Sequence, residues 1–125
     1  MEFGDTFVMT HLWIVISEPA KHGGTFIIAN LTSNMARAGP ECELNKGDHP
    51  WITHRCYLSF GDAREVSSKE ETNITGFIAS GKVKRHSPMS PQILHKIIEA
   101  ARQSKALPIK YRKYFLAALV GHSQL

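Results

Sequence analysis

Two histidines, an arginine and a tyrosine fall within nine residues of one another, at His49, His54, Arg55 and Tyr57. An imidazole takes up and releases protons near neutral pH, and a guanidinium presents a fork of donors that fits phosphate or carboxylate oxygens. The chemistry such a group can do is proton transfer beside a bound anion. Three further residues belong with it by type: His11, which precedes an apolar strand, and Thr32 and Ser33, which close another. Lys46 offers a second cation and Trp51 an aromatic face. The same residues have plainer readings, in which a histidine beside Pro50 and Trp51 caps a turn and Thr32-Ser33 ends a strand.

Gly47-Asp48 and Pro50 are turn chemistry, while Cys56, Leu58 and Phe60 alternate with Tyr57 and Ser59 at the two-residue period of a half-buried strand. The reactive groups therefore sit on a loop that feeds a rigid element, a common way of presenting a site. Upstream, Phe7-Val8-Met9 follows a Gly4-Asp5 turn. Leu12 to Ser17 is a nearly continuous β-branched and aromatic run that Pro19 stops, and Thr25 to Leu31 resumes after Lys21-His22-Gly23-Gly24. Residues 11–31 thus predict a hairpin, 34–41 a loop, 41–44 a brief strand, 55–60 a strand that leads into 62–66, 67–72 a polar loop and 77–81 a small apolar patch. Many short strands with frequent turns predict a β-barrel or strongly bent sheet in the first half. The period then changes. Ser90-Pro91 opens a helix in which Leu94, Ile97, Ile98 and Ala101 share a face, and a second helix is predicted from Pro108 to Val120, with Ile109, Phe115, Leu116 and Leu119 inward and Gly121 ending it. The expectation is one α+β domain over 1–125, with a barrel core at 1–81 and a helical part at 88–121. Trp13 and the phenylalanines are expected in the core, His95 in a structural role, and His22, His86 and His122 in solvent.

With 125 residues, 42% hydrophobic and 21% charged, the chain suffices for one core. No apolar run approaches the roughly 18 residues of a membrane span, and the start lacks a basic segment followed by an apolar one, so a soluble, cytoplasmic protein is expected. Two cysteines, Cys42 and Cys56, predict free thiols, although spacing alone leaves a single disulfide open. Charge divides unevenly, with 6 Lys/Arg against 10 Asp/Glu in residues 1–81 and 9 against 1 in 82–125. A basic C-terminal third favours a polyanion or an acidic protein as partner.

The order of features resembles the PemK/MazF-like toxins of bacterial toxin–antitoxin systems. The matching segments are Gly4-Asp5, Ile14-Val15-Ile16-Ser17 and Ile27-Ile28-Ala29-Asn30-Leu31-Thr32-Ser33, with partial counterparts in Leu44-Asn45-Lys46-Gly47 and Cys56-Tyr57-Leu58. The likeness covers roughly the first two thirds of the chain. It implies an SH3-like β-barrel with helices, a homodimer, an antitoxin protein as partner, and metal-independent endoribonuclease activity on single-stranded RNA. The family's Arg-Pro before the apolar strand is replaced here by Thr10-His11-Leu12.

Metal-free RNA cleavage needs a base for the 2′-hydroxyl proton, an acid for the leaving oxygen and donors for the developing phosphorane charge. His11, Thr32, Ser33, His49 and His54 are the candidate catalytic residues, with Lys46, Trp51, Arg55 and Tyr57 as candidate RNA contacts and no metal or cofactor expected. Cys42, His49, His54 and Cys56 make an alternative zinc set by side-chain type, at a spacing that matches no familiar finger or knuckle. The alternative to an enzyme is a non-catalytic SH3-like barrel module, a phage or host regulatory protein that binds protein or nucleic acid with the same groove.

Overall fold

Six antiparallel strands carry the fold, and a computed structural model describes residues 1–116. The strands are β1 (Thr6–Met9), β2 (His11–Val15), β3 (Phe26–Thr32), β4 (Glu43–Leu44), β5 (Cys56–Val66) and β6 (Lys84–His86), in the order β4-β5-β3-β2-β1-β6. They curl into a half-barrel flanked by helices, an α+β architecture. The helices are α1 (Met35–Ala38), α2 (Ser68–Ala79) and α3 (Pro91–Gln103).

Both faces of the central strands are covered, which explains why β2 and β3 are apolar almost throughout. Leu12, Ile14, Ile16, Ile27, Ala29 and Leu31 face a larger core shared with Leu94, Ile97 and Ala101 of α3. Phe7, Trp13, Val15, Phe26 and Ile28 face a smaller core closed by Ile74 of α2 and by Val83. The curl is sharpest in β5. Ile28 pairs with Arg64 while Asn30 pairs with Ser59, so residues 60–63 stand opposite Ala29 alone. A bulge of this kind bends its strand and increases the local twist. Gly4 (φ +91°) holds this sheet to α3: its N–H donates to Val15, its carbonyl accepts from Met89 N, and Leu94 packs directly on its Cα.

Several expectations are corrected. The segment expected as a polar loop at 67–72 opens the twelve-residue helix α2. Ser67 Oγ accepts from Glu70 N (3.3 Å) and the Glu70 carboxylate accepts from Ser67 N (3.1 Å), a reciprocal cap that satisfies two donors at the helix start. The expected loop 34–41 contains α1, whose cap is Asn34 Oδ1 accepting from Arg37 N. Lys84–His86, unforeseen, forms an edge strand on β1, its cations guarding an otherwise open edge. Beyond α3, the chain makes a 3₁₀ turn at Ile109–Tyr111 and a helical turn over 113–116. Phe115 is buried there as expected, whereas Ile109 and Leu116 are exposed. The rest of the predicted second helix, with Leu119, Gly121 and His122, lies outside the described residues. Trp13 is in the core; Phe77, on the outer side of α2, is 43% exposed.

Candidate functional site

Register sets the floor of the site. The β2–β3 ladder ends at Trp13 and Asn30, and beyond it Thr32 pairs with Tyr57 of β5 while His11 lines the same pocket as Thr32. Paired residues of antiparallel strands share a face. Thr32 and Tyr57 therefore form one row, with His11 on the same face of β2 as Trp13, and Trp13, Asn30 and Ser59 form the next.

At the end of the first row opens a pocket of about 280 Å³. Its walls are His11, Leu31, Thr32 and Ser33 from the sheet, and Trp51, Ile52, Thr53, His54 and Cys56 from the segment entering β5. His11 and Thr32 are half-buried, His54 and Ser33 exposed, and Trp51 is 36% exposed. His54 Nδ1 lies 3.2 Å from Thr53 Oγ1, leaving Nε2 free of any hydrogen bond among the described residues. The backbone before His11 is strained. Thr10, the single residue joining β1 to β2, has φ +65°, a conformation that branched residues avoid.

Of the nine residues singled out in the sequence, the pocket brings together His11, Thr32, Ser33, Trp51 and His54. Tyr57, paired with Thr32, is buried and lines no part of the pocket. Lys46 and Arg55 are exposed and line no part of the pocket, so no Lys or Arg borders it. His49 is elsewhere, buried at 3% exposure behind the turn. Its Nδ1 accepts from Trp51 N (3.0 Å) and its Nε2 donates to Ser87 O (2.6 Å). Burial pushes its pKa below the ordinary histidine value and the nearby His86 lowers it further, against the opposing pull of the Ser87 carbonyl. With both nitrogens engaged, His49 has none left to offer a substrate.

His86, expected in solvent, packs its ring 5.0 Å from that of His49, and His22 packs 4.6 Å from Tyr114, whereas His95 is exposed. The cysteines are unpaired, and burial raises both thiols to about 11, so Cys56 borders the pocket as a neutral thiol. Cys42, His49, His54 and Cys56 do not converge: among the described residues no three His, Cys, Asp or Glu side chains are grouped to hold a metal ion.

Sequence reasoning missed the second row. Asn30 is 5% exposed, and its Oδ1 has no hydrogen-bond partner among the described residues. Beside it, Ser59 Oγ donates to Asp62 Oδ2 (2.7 Å), and Arg37 reaches the same carboxylate through Nε (2.9 Å) and Nη2 (3.1 Å). The Arg37 and Ser59 hydrogen bonds hold the Asp62 carboxyl below its usual range. The visible signal was an asparagine inside an otherwise apolar strand.

Fold and site together define an α+β architecture with an open, histidine-bearing pocket where strand ends meet. No protein-family model matches the chain, and no curated protein matches it significantly. Among the described residues no helix is long and apolar enough to cross a membrane.

Proposed function

We propose that the pocket binds single-stranded RNA and cleaves it without a metal ion, as the PemK/MazF-like toxins do. The observation that carries this reading is the convergence of two imidazoles, two hydroxyls and an exposed indole on one cavity: His11, His54, Thr32, Ser33 and Trp51. One imidazole, neutral, takes the proton of a ribose 2′-hydroxyl as its oxygen attacks phosphorus. The other, protonated, hands its proton to the departing 5′-oxygen, giving a 2′,3′-cyclic phosphate and a free 5′-hydroxyl. Thr32 and Ser33 donate to the phosphoryl oxygens, and Trp51 stacks on a base beside the scissile bond. The curled sheet belongs, on this reading, to an SH3-like barrel, and the protein acts in the cytoplasm as a homodimer that an antitoxin silences by covering the pocket.

The absence of Lys and Arg from the pocket wall favours a second reading, in which the same cavity binds RNA or a protein segment without cleaving it. One experiment separates the two. A doubly labelled single-stranded RNA of mixed sequence is incubated with the protein in EDTA, and cleavage and anisotropy are followed together. Cleavage lost in His11→Ala and His54→Ala supports the enzyme, and binding without cleavage supports the module. RNA that is neither bound nor cut refutes both RNA readings.

A further inference from the structure

His49 is the most chemically capable side chain that the pocket does not use, and its hydrogen bonds admit one protonation state. Trp51 N–H points at Nδ1 from 3.0 Å, so Nδ1 must offer a lone pair. Ser87 O, which can only accept, lies 2.6 Å from Nε2, so Nε2 must carry the hydrogen. The neutral Nε2–H imidazole satisfies both partners. A proton added at Nδ1 would set two N–H donors against each other at hydrogen-bond distance, in a buried place where neither has a substitute.

The surroundings give that added charge no help. From β6, His86 lies ring to ring at 5.0 Å, its Nδ1 accepting from Ser87 N (2.9 Å), with Lys84 two residues along the same face. The two imidazoles thereby hold the N–H and the C=O of one residue between them. From β1, Thr6 Oγ1 donates to the same Ser87 carbonyl (2.6 Å). On its own turn, the Asp48 carboxylate accepts from Asn45 N (2.8 Å). No carboxylate bonds to His49 among the described residues. Protonation there therefore breaks the hydrogen bond to Trp51 and adds repulsion from His86.

We propose that His49 is a positioning residue whose neutral imidazole holds Trp51 at the pocket wall, and whose protonation releases the 49–52 turn, so that the pocket grips a nucleobase near neutral pH and lets it go in acid. The first half concerns the protein alone; the second rests on the reading of the pocket as an RNA site. The chain from cause to effect is short. Trp51 N–H is bound by the ring and Ile52 N by the His49 carbonyl (2.9 Å), and both following side chains line the pocket.

The test follows the backbone amide and indole of Trp51 by ¹⁵N NMR from pH 8 to pH 5 in the full chain, alongside the His49 ring. The expected result is a Trp51 transition whose midpoint coincides with protonation of His49 and lies below that of an unperturbed histidine. His86→Asn, by removing the neighbouring imidazole that disfavours a charge on His49, moves the midpoint to higher pH, and His49→Gln makes Trp51 insensitive to pH over this range. A Trp51 signal that stays flat while His49 titrates, or one that still titrates in His49→Gln, overturns the proposal. Should His49→Gln not fold, a midpoint unmoved or lowered in His86→Asn overturns it instead. Anisotropy of a labelled single-stranded RNA is then measured at both ends of the range, where loss of one stacking contact weakens affinity about tenfold in acid. Affinity that ignores the Trp51 transition overturns the gating. A protein that binds no RNA at any pH while Trp51 still follows His49 upholds the positioning role and refutes the RNA reading.

Discussion

Replacing Thr10 by Asn should stabilise the protein without disturbing the pocket. Thr10 is held at φ +65° by the tight link between Met9 and His11, which pair directly across β1 and β2. A branched residue in this region is strained by roughly 1–3 kcal/mol, whereas asparagine visits it readily because its short amide bonds locally. The Thr10 side chain is exposed and its hydroxyl makes no hydrogen bond among the described residues, so the substitution removes no packing. A net gain of about 1 kcal/mol is expected, which for a chain of this length raises Tm by about 3–5 °C. Thr10→Gly relieves the same strain but adds about 0.5–1 kcal/mol of chain entropy to the unfolded state, so its gain is smaller. On the RNA reading the two variants also divide on function: Asn keeps His11 in place at the pocket wall, while Gly loosens the turn and lowers RNA cleavage or binding several-fold. Thermal melts by circular dichroism and the RNA assay read both quantities. A Thr10→Asn protein no more stable than wild type would refute the strain argument.

Gly4→Ala should cost at least about 2 kcal/mol, because it adds left-handed backbone strain to a Cβ only 2.7 Å from Leu94 Cδ1. Gly47→Ala, with φ +100° and nothing within 4 Å, isolates the backbone share at about 1 kcal/mol; equal losses in urea melts would dismiss the Leu94 contact. His49 gives stability a pH slope. Its folded pKa lies below the ordinary 6.5, so the unfolded chain binds the extra proton first, and the contribution present above 6.5 drains away as pH falls through the folded value. Urea midpoints of wild type and His49→Gln should therefore converge on acidification from pH 7.5 to 5, and parallel curves would contradict this. Ser67→Ala should lose about 1 kcal/mol through the α2 cap, and an unchanged Tm would show that α2 is held by packing alone.

The large sheet and α3 were legible because burial left a periodic trace. Leu12, Ile14 and Ile16 alternate with Trp13 and Val15 because each set enters a different core, and Ser90-Pro91 marks the α3 start by capping oxygen and fixed φ. Where burial is slight the trace vanishes. α2 turns only Ile74 and part of Ile78 inward, with Gly76 between them, so its apolar stripe falls short of a helical period although the Ser67–Glu70 cap was in plain view. β6 is Lys-Arg-His and pairs through backbone groups that side-chain type does not reveal. The same division runs through the site. His11 and Thr32 could be matched because the hairpin sets their strands side by side, and Trp51 and His54 because they precede the strand pairing with Thr32. His49 was misplaced because its burial depends on Thr6 and Ser87, residues 43 and 38 positions away, which β6 brings to the turn.

Two departures from good local chemistry lie next to pocket residues, while a third, the buried Arg102 Nε of α3 with no hydrogen-bond partner among the described residues, lies away from the pocket. Thr10 carries backbone strain one residue before His11, and Asn30 keeps a buried, unpaired oxygen two residues before Thr32. An unsatisfied buried acceptor costs about 1–3 kcal/mol, comparable to the strain at Thr10. Neither is needed to build the sheet, since glycine or asparagine would serve at Thr10 and an apolar residue beside Trp13 and Ile28 would suit the smaller core. Many other local choices agree with the fold: Gly4 occupies the left-handed position against α3, Ser67 and Ser90 cap their helices, and the β5 bulge carries Gly61. Where a sequence that is otherwise locally consistent breaks a local rule, the break marks a strained or functional place. Here two of the breaks adjoin His11 and Thr32, which line the same pocket, the cavity proposed to hold RNA.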